Sequence, residues 1–252
     1  MDISKGKYWD KPWSLVSGCT PCSPGCRGCW SAGISHRFSG DFTYYSHANE
    51  SRSGKETGWP TFNGKILTHP ERLDIPLKRK KPTVFAVWND LGHPDISSEF
   101  FADTWGIMDS CAQHIFLCLT KRPQRFVDEL RGLEDYITEY IYWGLTICNQ
   151  QEADEKIPVF LQVPGKKFLS IEPSLSNISL WETYLNVKWI EYFDVIIMGA
   201  ETGGKARPMD LEWARTIRDE CVVAGTPFFL KQVDKKHNRL LDGKEHNDLP
   251  WR

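Results

Sequence analysis

Residues 83–120, TVFAVWNDLGHPDISSEFFADTWGIMDSCAQHIFLCLT, contain a complete strand–helix–strand unit. Thr83–Trp88 (TVFAVW) and His114–Thr120 (HIFLCLT) are apolar without polar alternation, as strands buried on both faces of a parallel sheet are. Between them, in Ser97–Gln113, Phe100, Phe101, Thr104, Trp105, Ile107, Met108, Cys111 and Ala112 mark one helical face, with Ser97 or Ser98 as its cap. The same kind of apolar run recurs at Ile141–Thr146, Lys167–Ile171, Asp194–Gly199 and Pro227–Lys231. A second helix is expected over Asp210–Ala224. Its stripe is Leu211, Ala214, Ile217, Cys221 and Val222, Asp210 caps its start, and Gly225 with Pro227 stops it. Repeated strand–helix units predict an α/β fold, a complete or partial parallel (β/α) barrel of TIM-like form, as one domain over 1–252. An irregular N-terminal segment precedes it and carries a cysteine loop at 18–30. A doubly wound open sheet is the alternative that periodicity does not separate.

Residues 1–60 read as loop-heavy, being rich in Gly, Ser and aromatics. The chain carries 31 Lys+Arg against 33 Asp+Glu, a balance that argues against coating nucleic acid by bulk charge. The run Lys78–Lys81 (KRKK) sits just before a predicted strand, at the end opposite the polar strand ends, and reads as a solvated turn. The apolar runs are strand-sized, so no membrane span is expected. The start MDISKGKYWD lacks the apolar core of a signal peptide, and a cytoplasmic location is the expectation.

In βα barrels chemistry gathers at the carboxyl ends of the strands. Those ends carry Asn89, Asp90 and His93; Thr120, Lys121 and Arg122; Thr146, Cys148 and Asn149; Glu172; Glu201; and Lys231 with Gln232. Glu201 lies in GAETGG, where Gly199, Gly203 and Gly204 would let backbone approach a ligand, although no GxGxxG nucleotide fingerprint is present. Any strand must end in polar loop residues. The weight therefore rests on acids, bases and an amide converging on one rim.

Of eight cysteines, four fall in GCTPCSPGCRGCW at 18–30: Cys19, Cys22, Cys26 and Cys29, spaced C-x2-C-x3-C-x2-C. Disulfides are disfavoured in a large cytoplasmic chain, where clustered thiols bind metal or do chemistry. A structural zinc site pairs two C-x2-C knuckles across a dozen or more residues, and only three lie between the pairs here. An iron–sulfur cluster tolerates dense spacing. Three readings follow: an iron–sulfur enzyme; a zinc-stabilised, non-catalytic protein that binds nucleic acid or a partner; and a cluster-free hydrolase using Asp90, Glu172 and Glu201 as acids and bases.

Cys22, Cys26 and Cys29 have the C-x3-C-x2-C spacing that resembles the radical S-adenosylmethionine (SAM) superfamily. That resemblance implies a [4Fe–4S] cluster held by three cysteines, SAM as cofactor, an electron donor and a loop that follows the first barrel strand, here ending at Leu15–Ser17. Nearly end to end, the chain also resembles the phage Gp37/Gp68 family of three-cysteine-motif proteins of unassigned function. The resemblance rests on WSLVSGCTPCSPGCRGCW, LTHPERLDIPLKRKKP at 67–82, NDLGHPDIS at 89–97, LTKRPQR at 119–125, SIEPSL at 170–175, GAETGGKARPMD at 199–210 and PFFLKQ at 227–232, closing on RLLDG…LPW. The family's own motif, C-x6-C-x2-C, maps onto Cys19, Cys26 and Cys29. Cys26 and Cys29 are ligands under either spacing, and the third is Cys19 or Cys22. The fourth thiol is a spare, or closes the coordination and abolishes SAM binding. Where the family has a Val-Glu pair, this chain has Ile147 and Cys148.

For SAM, the resemblance makes Lys121, Arg122 and Lys231 candidates for its carboxylate and Asp90, Glu172 and Glu201 candidates for its ammonium and ribose. Pairing of Lys121–Arg122 with Glu172 or Glu201 is the alternative. His93 and Gln232 are candidates to touch substrate, and Trp30 and Trp88 to pack beside the cluster. The implied reaction is a radical rearrangement or modification on a nucleotide or DNA substrate, such as isomerisation of a hypermodified thymine in phage DNA, in the host cytoplasm. No motif in the chain demands that substrate.

Overall fold

The computed structural model describes residues 2–50, 56–133, 138–181, 187–203 and 206–252. Gly204, of the GAETGG segment, lies outside them. The elements in chain order are β1 (Lys11–Trp13), β2 (Val16–Ser17), α1 (Trp30–Phe38), β3 (Thr43–Glu50), β4 (Glu56–Phe62), β5 (Leu67–Thr68), β6 (Val84–Val87) and α2 (Ser98–Asp109). They continue with β7 (Ile115–Thr120), α3 (Pro123–Leu130), β8 (Ile141–Ile147), α4 (Gln150–Phe160), β9 (Lys166–Ile171), β10 (Val195–Gly199), α5 (Leu211–Ala224) and β11 (Phe228–Gln232).

Seven strands form one parallel sheet in the order β1-β6-β7-β8-β9-β10-β11, curled into a partial (β/α) barrel. The six apolar runs of the sequence are its strands β6 to β11, within a residue or two at each end. Their lack of polar alternation has the expected cause, since both faces are buried. One face turns Phe116, Cys118, Trp143, Leu145, Leu169, Ile171, Ile196 and Met198 toward the helices. The other fills the barrel interior with Val84, Leu117, Tyr142, Phe168, Val195, Ile197 and Phe229. Trp251 plugs the lower end, its ring 4.9 Å from Tyr142 and 6.5 Å from Phe168.

Both predicted helices form. Ser97 caps α2 by accepting from Phe100 N–H, and Asp210 caps α5 by accepting from Glu212 N–H. Gly225, at φ 72°, ends α5 in the left-handed conformation that glycine reaches without strain. Cys111, Cys118 and Cys221 are core residues on these elements.

Two expectations are corrected. The first barrel strand is β1, and it does not end at Leu15–Ser17. Leu15 N–H turns back to the Trp13 carbonyl, and β2 then leaves the sheet to pair antiparallel with β5. The N-terminal segment is also less irregular than expected, because β3 and β4 form an antiparallel hairpin and α1 packs against it. Among the described residues no helix is long and apolar enough to cross a membrane. Lys78, Lys80 and Lys81 are exposed ahead of β6, with Lys78 paired to Asp74.

Candidate metal centre

The thiol loop leaves β2 and crosses the carboxyl ends of the barrel strands. Ser23 Oγ accepts from Gly25 N–H at 3.1 Å, turning the chain into a short 3-10 segment, Pro24–Gly28, and Cys29 leads directly into α1. The loop lies close on the rim. A Cβ on Gly28 would collide with Glu201 Oε1, so a larger residue here would have to displace that carboxylate.

Cys19, Cys22, Cys26 and Cys29 line one cavity of about 170 Å³, walled by Asn89, Asp90, Thr120, Lys121, Arg122 and Thr146. Among the described residues, no group of three or more His, Cys, Asp or Glu side chains is preset to hold a metal ion. A hydrogen bond from Cys22 lowers the Cys26 pKa to about 5 against its burial, with the Lys121 charge assisting, and raises that of Cys22 itself. Burial raises Cys19 to about 11 and also raises Cys29. Four soft donors round one cavity, with a cation on its wall, suit a polynuclear iron–sulfur centre.

A second cavity, of about 130 Å³, opens in the barrel mouth among Tyr8, Trp30, Ser170, Glu172, Glu201 and Lys231. It shares Leu119, Lys121 and Thr146 with the first, so the two spaces adjoin. Lys231 Nζ lies 3.2 Å from Glu172 Oε1, while the Tyr8 and Ser170 hydroxyls approach Oε2 at 3.5 and 3.4 Å. All these contacts are long, and Oε1 is buried without a hydrogen bond. The carboxylate is under-satisfied and can accept from a ligand.

The rim residues divide into two sets. Lys121 stands between the cavities, with no ion-pair or hydrogen-bond partner among the described residues. Glu172 and Lys231 face the barrel mouth. Arg122, by contrast, pairs with Asp90 at 2.5 Å, and Glu201 with Arg207 at 2.6 Å. Burial alone would raise the Glu201 pKa, but hydrogen bonds from Arg207 hold it below the usual carboxylate value. The alternative pairing of Lys121–Arg122 with Glu172 or Glu201 therefore does not form. His93 is buried against Thr20, and Gln232 donates to the Ala200 carbonyl at 2.6 Å.

Trp30 and Trp88 pack edge to face at 4.7 Å beside the loop, with Trp30 also lining the second cavity. Cys148 lies beneath the loop, its Sγ 3.7 Å from Ser23 Oγ. Tyr8, Ser170 and Arg207 were not picked out from the sequence. Ser170 was within reach of it, because residues 168, 170 and 172 alternate toward the interior.

A family model described as a protein of unknown function (DUF5131) matches residues 3–250. No curated protein and no solved structure matches the chain.

Proposed function

The chain belongs to the DUF5131 family, and for it we propose a radical SAM-type enzyme with a [4Fe–4S] cluster at the thiol loop. The observation that carries this reading is four cysteines of one loop lining a single cavity at the strand ends of a partial βα barrel, beside a second, polar cavity. One zinc ion would need its sulfurs roughly 3.8 Å apart, given Zn–S bonds of about 2.3 Å in a tetrahedron. The dense spacing, with three residues between the two C-x2-C pairs, favours a cluster over that site. Cys26 and Cys29 would hold it, with Cys19 or Cys22 as the third ligand. When bound, the cluster supplies the electron that splits SAM into methionine and a 5′-deoxyadenosyl radical, which takes hydrogen from substrate.

The chain's own groups bind and orient. Lys121 offers its unpaired ammonium to the SAM carboxylate. Glu172, poorly satisfied by Lys231, Tyr8 and Ser170, accepts from the ammonium or ribose hydroxyls of the ligand. Arg122, set by Asp90, and Glu201, through Arg207, serve SAM by holding the loop. Trp30 closes the side of the barrel mouth, and the Trp251 plug excludes water from below. Substrate enters the second cavity. The reaction is a radical rearrangement or modification, in its specific form an isomerisation of a hypermodified thymine in DNA. An external electron donor completes the set of partners.

Anaerobically reconstituted protein is expected to be brown, to contain iron and acid-labile sulfide, and to release 5′-deoxyadenosine with SAM and dithionite. Cys26→Ser is expected to lose the colour and most of the iron. Colourless protein holding one zinc and no sulfide after reconstitution would sink the reading.

A further inference from the structure

Two arginines grip the thiol loop from opposite sides of the rim. Arg122 donates from Nη1 to Asp90 Oδ2 at 2.5 Å and from Nη2 to the Thr20 carbonyl at 2.5 Å. Asp90 is fixed in turn by the Thr120 hydroxyl at 2.6 Å and Gly92 N–H at 3.0 Å, and His93 Nε2 meets Thr20 Oγ1 at 2.9 Å. Beyond the end of β10, Arg207 engages Glu201 through its backbone N–H, Nε and Nη2 at 2.8, 2.9 and 2.6 Å, and Nη2 reaches the Pro24 carbonyl at 3.1 Å.

Each assembly has the same order: a buried carboxylate at a strand end, a guanidinium, a loop carbonyl. Together they bracket Cys22. The arginine fork can hold a carboxylate and still present an N–H to a third group, which the single ammonium of lysine does poorly. Cys148 is fully buried under the same loop, 3.5 Å from where a Cβ on Gly25 would stand.

We propose that Arg122 and Arg207 are positioning residues, a pair of guanidinium clamps that hold the thiol loop over the barrel mouth before metal arrives and keep Cys148 covered. The purpose of the clamps rests on the function proposed above, since a preset loop spares its ligands the ordering cost of binding. Their existence is testable without metal.

The test alkylates the reduced, metal-free full chain with iodoacetamide and follows each cysteine by mass spectrometry. Arg122→Lys and Arg207→Lys keep the charge and lose the fork. In Arg207→Lys, Cys148 is expected to react faster by on the order of tenfold, the weight of one lost charge-assisted hydrogen bond in a local opening equilibrium. Cys19 is expected to react faster in Arg122→Lys. Cys118 and Cys221, buried in the core, stay unreactive in both and separate loop release from unfolding. After reconstitution, both variants are expected to lose iron to a chelator faster than the parent chain.

Unchanged Cys148 and Cys19 rates overturn the clamps, whatever the iron result. If Arg207→Lys also exposes Cys118, Glu201→Gln gives the same reading with the guanidinium intact, and a protected Cys148 there overturns the proposal. A parent chain that takes up no iron or sulfide, while the alkylation result holds, sinks the proposed function and leaves the clamps standing.

Discussion

Lys121 is the cation that the rim leaves unspent. Arg122 and Arg207 are committed to carboxylates and loop carbonyls, and Lys231 leans on Glu172, whereas Lys121 faces two adjoining cavities without a partner among the described residues. Lys121→Gln is expected to weaken SAM binding about tenfold or more, from the roughly 1.5–3 kcal/mol of a hydrogen bond to a charged group. Equilibrium binding to the reconstituted protein measures it, and unchanged affinity would move the SAM carboxylate elsewhere. Gly28 tests the other side of the rim. A methyl group there would strike Glu201, so Gly28→Ala is expected to disturb the Glu201–Arg207 pair and lower iron retention while the denaturation midpoint holds. Full retention would show that Glu201 yields without consequence.

The parallel strands owe their positions to burial on two faces, and the helices to apolar stripes with proper caps. Asp210 is an exposed cap whose side chain accepts from Glu212 N–H at 2.9 Å. Asp210→Ala is expected to cost about 1 kcal/mol of stability, the usual loss for such a cap, read from urea unfolding. An undiminished midpoint would mean that α5 is held by its packed face alone. The thiol loop differs from both kinds of element. It has little regular structure beyond one 3-10 segment, so its shape depends on contacts to the rim as well as on its own few hydrogen bonds. This arrangement suits a site that must present several sulfurs to one space.

Across the barrel, layers of side chains close the lower end and leave the upper end polar. Gly144 on β8 is closely packed, because a Cβ there would collide with the Phe168 ring and meet Leu119 at 2.8 Å. Gly144→Ala is expected to destabilise the fold by about 1–3 kcal/mol through overpacking, measured by urea unfolding. A neutral result would show that the Phe168 ring can shift. Stability is also expected to depend on pH. Burial lowers the pKa of His93 and of His246 from 6.5. Above about pH 6.5 both are neutral, folded or unfolded, and contribute nothing. As pH falls below it, the unfolded chain takes up protons first and the folded state loses stability. The urea midpoint should be lower at about pH 5.5 than at about pH 7.5, and His246→Gln should remove part of that drop. A midpoint that does not change between the two would contradict the burial of these rings.

The strand–helix alternation, the caps and the clustered thiols were readable in the chain, because each is a local pattern: an apolar run, a 3.6-residue stripe, a short spacing. β1 was not, since three residues, two of them exposed, carry no period and gain their place only by pairing with β6. The β3–β4 hairpin escaped for a different reason, its Gly, Ser and polar content reading as loop composition. Nor could spacing foretell how the rim charges pair. Arg207 reaches Pro24 across 183 positions, and Arg122 reaches Thr20 across 102. Local patterns fix which groups stand at the strand ends. Which of them is spent on holding the loop, and which stays free to meet a ligand, depends on distances that exist only once the sheet has curled.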